Sequence, residues 1–411
     1  LHRKQAFEFA GIDHEVLTGL LYQHDFNTGE GVVLDSIFNY YGTSSSMHSY
    51  TFDDYPHLQT LSIYLQDDIR GTVFGRCYDI MLGLRYDSFN PISLTKAKHG
   101  VFLNPRFNFR YFFNNDMRIR FGAGRTAKTI SLGNIYDPPS YWTHLINGEY
   151  IQEVQEEYNP ELQSYTTAKY ELSFDWKPVD IIGMSITAYI SNSDDQSRSV
   201  TYPWGYYDNP DTITRKSFSI NRNVGKYQSS GVEWTMNTKR IRNLQFKTNL
   251  TYRFTKSGSS GLRYDSSPDT TWEDIWYVPS STWKEKVIVD MQVNYISKRL
   301  GLWMTVDAQY IPLEHRKVVY NSNSTILLDD DIKQYVVWYQ GMNYWYDTIM
   351  DDFSGYWLFN FRVTKSLSTR SEISLYINNI FDDRAMYKDY DEYWKERNPE
   401  LYFGMEVSWQ W

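Results

Sequence analysis

Apolar and polar residues alternate one by one along most of this chain, in runs of about ten, which is the pattern of β-strands with one apolar and one polar face. Over residues 168–176, Ala168, Tyr170, Leu172, Phe174 and Trp176 interleave with Lys169, Glu171, Ser173 and Asp175. The same alternation runs through 244–254, 287–295, 302–310 and 401–411. About fifteen such segments are predicted along the sequence, and helical spacing is nearly absent. Short turns are predicted near 10–13, 68–72, 114–116, 177–180, 239–243, 297–300 and 366–370. Long loops are predicted near 26–57, 88–102, 129–166, 193–227, 257–284, 312–355 and 382–400.

Strands of this length, with short turns at one end and long loops at the other, are those of a barrel that crosses a membrane. Hydrocarbon offers a backbone no hydrogen-bond partners, so strands can cross it only in a sheet that closes on itself. The expectation is therefore an all-β, transmembrane, antiparallel up-and-down β-barrel, with residues 1–411 forming a single domain. A soluble sandwich or propeller also alternates, but it does not readily confine its long loops to one end. Aromatic residues near strand ends (Trp176, Tyr252, Phe254, Tyr295, Tyr310, Trp357, Trp409 and Trp411) suit the belts found at bilayer interfaces, or else ordinary strand packing.

Composition narrows the classes further. The chain has 411 residues, 41 Lys plus Arg against 50 Asp plus Glu and a net charge of -9, which speaks against nucleic-acid binding. Mean hydropathy is -0.56, and no apolar run approaches the roughly 20 residues of a spanning helix. The single cysteine, Cys77, excludes a disulfide within the chain and a cysteine-based zinc site. The first residue is Leu1, with no basic-then-apolar leader, so the sequence reads as a fragment or as a chain whose signal peptide is elsewhere.

Several phrases, in order, resemble the C-terminal barrel region of TonB-dependent outer-membrane receptors. They are LSIYLQDD at 61–68, MLGLRYD at 81–87, NPRFNFR at 104–110, IRFGAGRT at 119–126, AKYELSFDWKP at 168–178, SGVEW at 230–234, LYINNIFD at 375–382 and the terminal aromatic Trp411. Their aromatic, Asn-rich style resembles Bacteroidetes receptors. The resemblance implies about 15 of the family's 22 strands, with the N-terminal plug domain and first strands missing from this chain. An odd number of strands could not close as the usual even-numbered bacterial barrel.

No catalytic constellation is found: there is no His-Glu-x-x-His, no Gly-x-Ser-x-Gly and no phosphate-cradling glycine loop. His14, His48, His57, His99, His144 and His315 look scattered, and no metal or cofactor site is expected. Acid clusters such as Asp329, Asp330 and Asp331, or Glu153, Glu156 and Glu157, lack the spacing of a calcium loop. Arg106 and Arg110 lie one tight turn from Arg118 and Arg120, a basic patch expected to face the lumen and to guide an anionic ligand or grip a plug. Cross-strand pairing with Asp79, Glu171 and Asp175 is the plainer expectation for the same residues. Loop aromatics are the candidate ligand surface: Trp338, Tyr339, Tyr344, Trp345, Tyr346, Trp272, Trp276, Tyr141 and Trp142, whose flat rings suit macrocycles or sugars. Loops packing on one another would use the same rings.

Taken with the resemblance, this implies a non-enzymatic receptor in the Gram-negative outer membrane, surrounded by lipid. It would capture a scarce solute such as a ferric siderophore, haem or a cobalamin-like compound and import it with TonB energy through a plug outside this chain. A SusC-like importer of glycans or peptides, with a surface lipoprotein lid, and a non-transporting adhesive barrel are the alternatives.

Overall fold

The computed structural model describes residues 2–26, 30–32, 50–51, 57–90, 100–130, 140–146, 149–155, 159, 162–209, 212–259, 263–265, 275–277, 281–319, 349–352, 355–384, 386–388, 394–396 and 398–409. Among them there is no helix. Fifteen strands form one antiparallel sheet in chain order, each hydrogen-bonded to the next. They are β1 (His2–Phe9), β2 (Ile12–Asp25), β3 (Leu58–Val73), β4 (Arg76–Asn90) and β5 (Val101–Phe112), followed by β6 (Met117–Lys128), β7 (Tyr165–Val179), β8 (Ile182–Asn209), β9 (Thr212–Thr238) and β10 (Leu244–Ser259). The last five are β11 (Ser281–Ser297), β12 (Leu302–Val319), β13 (Tyr356–Ser368), β14 (Ser371–Asn378) and β15 (Tyr402–Trp409). A short segment, Ile349–Asp352, pairs with the far end of β12. In the described pairings β1 and β15 are the two edges of the sheet.

Burial is inverted relative to a water-soluble sheet. Leu65 is 53% exposed, Leu103 57%, Leu172 50% and Met405 62%, and these side chains belong to the continuous apolar face. The buried polar side chains, among them Ser62, Asp87, Asn104, Ser173, Ser229 and Ser374, belong to the opposite face. An apolar surface extending over fifteen strands is far larger than the few hundred Å² that soluble monomers leave exposed. Lipid is the solvent in which such a face is stable. The opposite face carries polar ladders that suit a wet lumen, for example Gln292 to Asp307 at 2.8 Å, Gln309 to Asp290 at 2.8 Å and Thr305 to Asn294 at 2.9 Å.

Described apolar side chains that are buried, including Leu58, Phe89, Phe102, Ile130, Leu162, Ile311 and Tyr356, gather at the long-loop end of the strands. Phe89 and Phe102 meet there with ring centroids 5.7 Å apart. On the outward face Tyr310 stacks on Trp357 at 4.4 Å, and Trp357 on Phe359 at 5.3 Å, as interfacial aromatics do. One ionisable pair interrupts that face: His14 Nδ1 and Asp67 Oδ2 are 2.8 Å apart, with the imidazole stacked on Phe7.

Two expected boundaries are corrected. The turn expected at 68–72 lies at Phe74 and Gly75, whose φ values of 51° and 69° are those of a type I′ hairpin. The polar run that imitates a turn is strand: Asp68 and Arg70 face the lumen, Asp67 is held by His14, and Gly71 lies opposite Tyr78, whose ring fills the space of the missing side chain. The loop expected at 193–227 is mostly a continuation of β8 and β9, paired out to Asn209 and Thr212 through register shifts at Ser193, Gln196 and Trp204. Above the membrane both faces of a hairpin meet water, so the alternation disappears while backbone pairing persists. The expected turns at 10–13, 114–116, 177–180, 239–243, 297–300 and 366–370 all touch observed strand junctions.

Candidate functional site

β5 and β6 are joined by a turn in which the Asp116 backbone N–H donates to Asn114 Oδ1 at 2.8 Å. Their ladder sets Arg110 opposite Arg120, Phe112 opposite Arg118 and Arg106 opposite Gly124, so all four arginines stand on the lumen face. Like charges directly across a ladder repel, and acids from the flanking strands separate them. Asp175 of β7 accepts Arg118 Nε at 2.6 Å, Arg120 Nη2 at 3.0 Å and the Ser185 hydroxyl at 2.7 Å. Arg110 reaches Asp79 of β4 at 3.3 Å. Glu171 pairs with Lys169 at 2.7 Å rather than with an arginine.

The expected basic patch is therefore a mixed band, with two arginines tied to one carboxylate. Of this band, Asp79, Arg110, Arg120 and Glu171 line a concavity of about 380 Å³ together with Asp68 and Arg70. Arg106 differs from its neighbours. It is exposed, it lies opposite Gly83 on one side and Gly124 on the other, and among the described residues it makes no ion pair. Asn108 Oδ1 stands 3.0 Å from where a Cβ at Gly122 would be, so the absence of a side chain there lets the amide lie across the wall.

Nearer the loops lies a cluster that the sequence did not single out as a site. Asp87 is 4% exposed and accepts the Ser62 hydroxyl at 2.6 Å, Arg85 Nε at 2.7 Å and Asn104 Nδ2 at 2.6 Å. Arg85 also donates to Ser62 at 2.9 Å. Arg85 and Asp87 belong to the MLGLRYD phrase; their i, i+2 spacing puts both on one face, but nothing local reveals the partners on β3 and β5. A second knot closes the far end of β14. Asn379 is fully buried, sits at a φ of 49°, donates through Nδ2 to the carbonyls of Asp383 and Pro399, and accepts the Asp383 N–H at 3.0 Å. Next to it Arg384 pairs with Asp382 and Glu400, each at 3.1 Å, and the charges of Asp382, then Glu396 and Glu400, hold its guanidinium above its ordinary pKa.

Of the expected loop aromatics, Trp338, Tyr339, Tyr344, Trp345, Tyr346 and Trp272 lie outside the described residues. Tyr141 and Trp142 lie in a two-stranded ribbon, Ser140–Ile146 with Glu149–Gln155, and Trp276 lies in another, Arg263–Asp265 with Ile275–Tyr277; their side chains lie outside the described set. Among the described residues no group of three or more His, Cys, Asp or Glu side chains is placed to hold a metal. The histidines are less scattered than their spacing suggests: His57 meets His24, 33 positions away in the chain, with Nδ1 and Nε2 3.0 Å apart.

A meandering sheet with its apolar face turned outward and its charged face turned inward defines an outer-membrane β-barrel protein. The family model described as "TonB dependent receptor-like, beta-barrel" matches residues 2–380, and the chain belongs to that family. Its location is accordingly the outer membrane of a Gram-negative bacterium. Similar solved structures include the siderophore receptor PirA from Acinetobacter baumannii, at 17% identity and a TM-score of 0.57, over 99% of this chain and 53% of that one. The outer membrane transporter YddB from Escherichia coli is 13% identical, with a TM-score of 0.62 and the same coverages. A mutant of the ferric enterobactin receptor PfeA from Pseudomonas aeruginosa is 15% identical, with a TM-score of 0.56. The chain thus spans about half the length of these structures, and at such identities the likeness shows the fold. No curated protein matches the sequence.

Proposed function

We propose that this chain is the C-terminal wall of a TonB-dependent uptake receptor, closed by further strands that join its two edges and stoppered by a plug outside this chain. The single observation that carries this reading is the inverted burial, with lipid-facing apolar rows outside and a charged lumen within, on a chain of this family. The protein performs no bond chemistry; it captures a scarce solute at its loops and releases it inward when TonB, driven by the inner-membrane proton gradient, moves the plug. The solute class favoured is a ferric siderophore or a similar metal chelate, because structures of this shape include the siderophore receptor PirA and a PfeA mutant in complex with enterobactin. Aromatic rings in the loops, with Trp338, Trp345, Trp272, Trp276 and Trp142 as candidates, supply the flat apolar contacts.

Within the lumen, Arg106 is the arginine assigned to carboxylates of the plug or passing ligand, because Arg118 and Arg120 are engaged by Asp175 and Arg110 by Asp79. The test is uptake of labelled ferric siderophores, haem and cobalamin by cells with and without the gene, and with and without functional TonB. TonB-dependent uptake of one of the metal compounds that needs the gene is expected. Arg106→Glu should cut that uptake several-fold at unchanged abundance in the outer membrane. Accumulation that persists without TonB would overturn the reading.

A further inference from the structure

The long-loop end of β2 and the start of β3 bring two histidines together on the outward face of the wall. His24 Nε2 and His57 Nδ1 are 3.0 Å apart, and the ring centroids are separated by 4.9 Å at a tilt of 47°. Both rings are exposed. His24 shares its face with Leu20 and Tyr22, and His57 shares its own with Leu61, so the pair stands on the rim outside the lumen. Phe26 packs against both imidazoles, at 5.3 and 5.4 Å, and so restricts their rotation.

We propose that His24 and His57 form a divalent transition-metal site on the outer rim, with a preference for Cu²⁺ or Ni²⁺. Two imidazole nitrogens 3.0 Å apart, each about 2.0–2.1 Å from one ion, subtend an angle of roughly 95° at the metal. That is close to the right angle between neighbouring ligands in the square-planar or tetragonal geometry of Cu²⁺ and Ni²⁺, and narrower than the tetrahedral angle that Zn²⁺ takes in protein sites. The order of intrinsic affinity for nitrogen ligands also places Cu²⁺ first. In the hydrogen-bonded pair one ring donates a proton and the other accepts it. To bind an ion, the donating ring carries its proton on its far nitrogen, either His24 Nδ1 or His57 Nε2, and both facing lone pairs become available with no net proton released. Water or an external ligand occupies the remaining positions. The cross-strand register supplies the site: His24 lies opposite Gln59, and His57 is the diagonal neighbour two residues away.

The site lies outside the lumen and does not rest on the uptake reading, so the two fail separately. The experiment is Cu²⁺ electron paramagnetic resonance and Ni²⁺ calorimetry on the folded full-length receptor, with the strands that close its barrel, in detergent micelles, compared with His24→Gln and His57→Gln. Folding of each variant is checked by heat-modifiable gel mobility. One equivalent of Cu²⁺ with coupling to two imidazole nitrogens is expected, and each substitution should weaken that equivalent at least tenfold. Unchanged affinity in either folded variant, or coupling to a single nitrogen, overturns the proposal and leaves an exposed hydrogen-bonded pair.

Discussion

Leu172→Arg puts the lipid-facing assignment to a direct energetic test. Leu172 stands at the middle of β7 (Tyr165–Val179), outward-facing and 50% exposed, between Phe121 of β6 and Ala188 of β8. At about 3.3 Å per residue and a strand tilt near 40°, each end of β7 is on the order of 18 Å away along the barrel axis. Leu172 therefore lies near the bilayer centre, where an arginine on the lipid face costs about 2–4 kcal/mol, or roughly 30- to 900-fold in the folding equilibrium. The same substitution at a half-exposed position in water changes stability by at most about 0.5 kcal/mol. The assay is denaturant titration of the folded protein in phospholipid vesicles, read by tryptophan fluorescence and gel mobility. Glu171→Arg, one residue away on the lumen face, half-exposed and opposite Gly122 and Tyr189, controls for the strand. Equal, small effects at 172 and 171 would falsify the claim that the apolar face meets lipid.

Further predictions concern the two ends of the wall. Replacing Asn379 by Gly should destabilise by about 1–3 kcal/mol, because the Pro399 carbonyl and the Asp383 N–H lose their side-chain partner while Asn398 Nδ2 still donates to the Asp383 carbonyl. Asn379→Ala should cost about 1 kcal/mol more because a Cβ without a side-chain hydrogen bond is disfavoured at positive φ; equal midpoints for the two variants in denaturant would contradict the backbone part of this account. At the short-turn end, the hydrogen bond from Lys177 to Asp180, with the charges of Lys177 and Lys239, holds the Asp180 carboxyl below its ordinary pKa of 3.8. Its stabilisation is fully present above that ordinary value and is lost as pH falls through the lower folded value. Since the pair is fully exposed, its effect should be small, visible as a shift in thermal midpoint between wild type and Asp180→Asn at low salt, and erased by 1 M salt. A difference that grows as the pH falls would reverse the assigned sign.

The alternation in segments such as 168–176 by itself determined strand identity, face and meander order, because a sheet with lipid on one side and water on the other needs period two at every crossing. The pattern lost its meaning where that solvent asymmetry ends. Along 193–227 the sequence stops alternating while β8 and β9 stay paired, so only backbone pairing discloses the hairpin. At 68–72 the composition of a turn was overruled by strand partners: His14, 53 positions away, for Asp67, and Tyr78 across the hairpin for Gly71. The arginines of β5 and β6 could be placed on one face by counting, but that Asp175 claims two of them, while Arg106 makes no ion pair among the described residues, depends on the register between β6 and β7. The meeting of His24 with His57 likewise follows from the register of β2 against β3 after a long excursion of the chain. Period two encodes which side of the wall a residue faces; which residues become neighbours across the wall is set by loop closure and ladder register, which no local stretch of sequence carries.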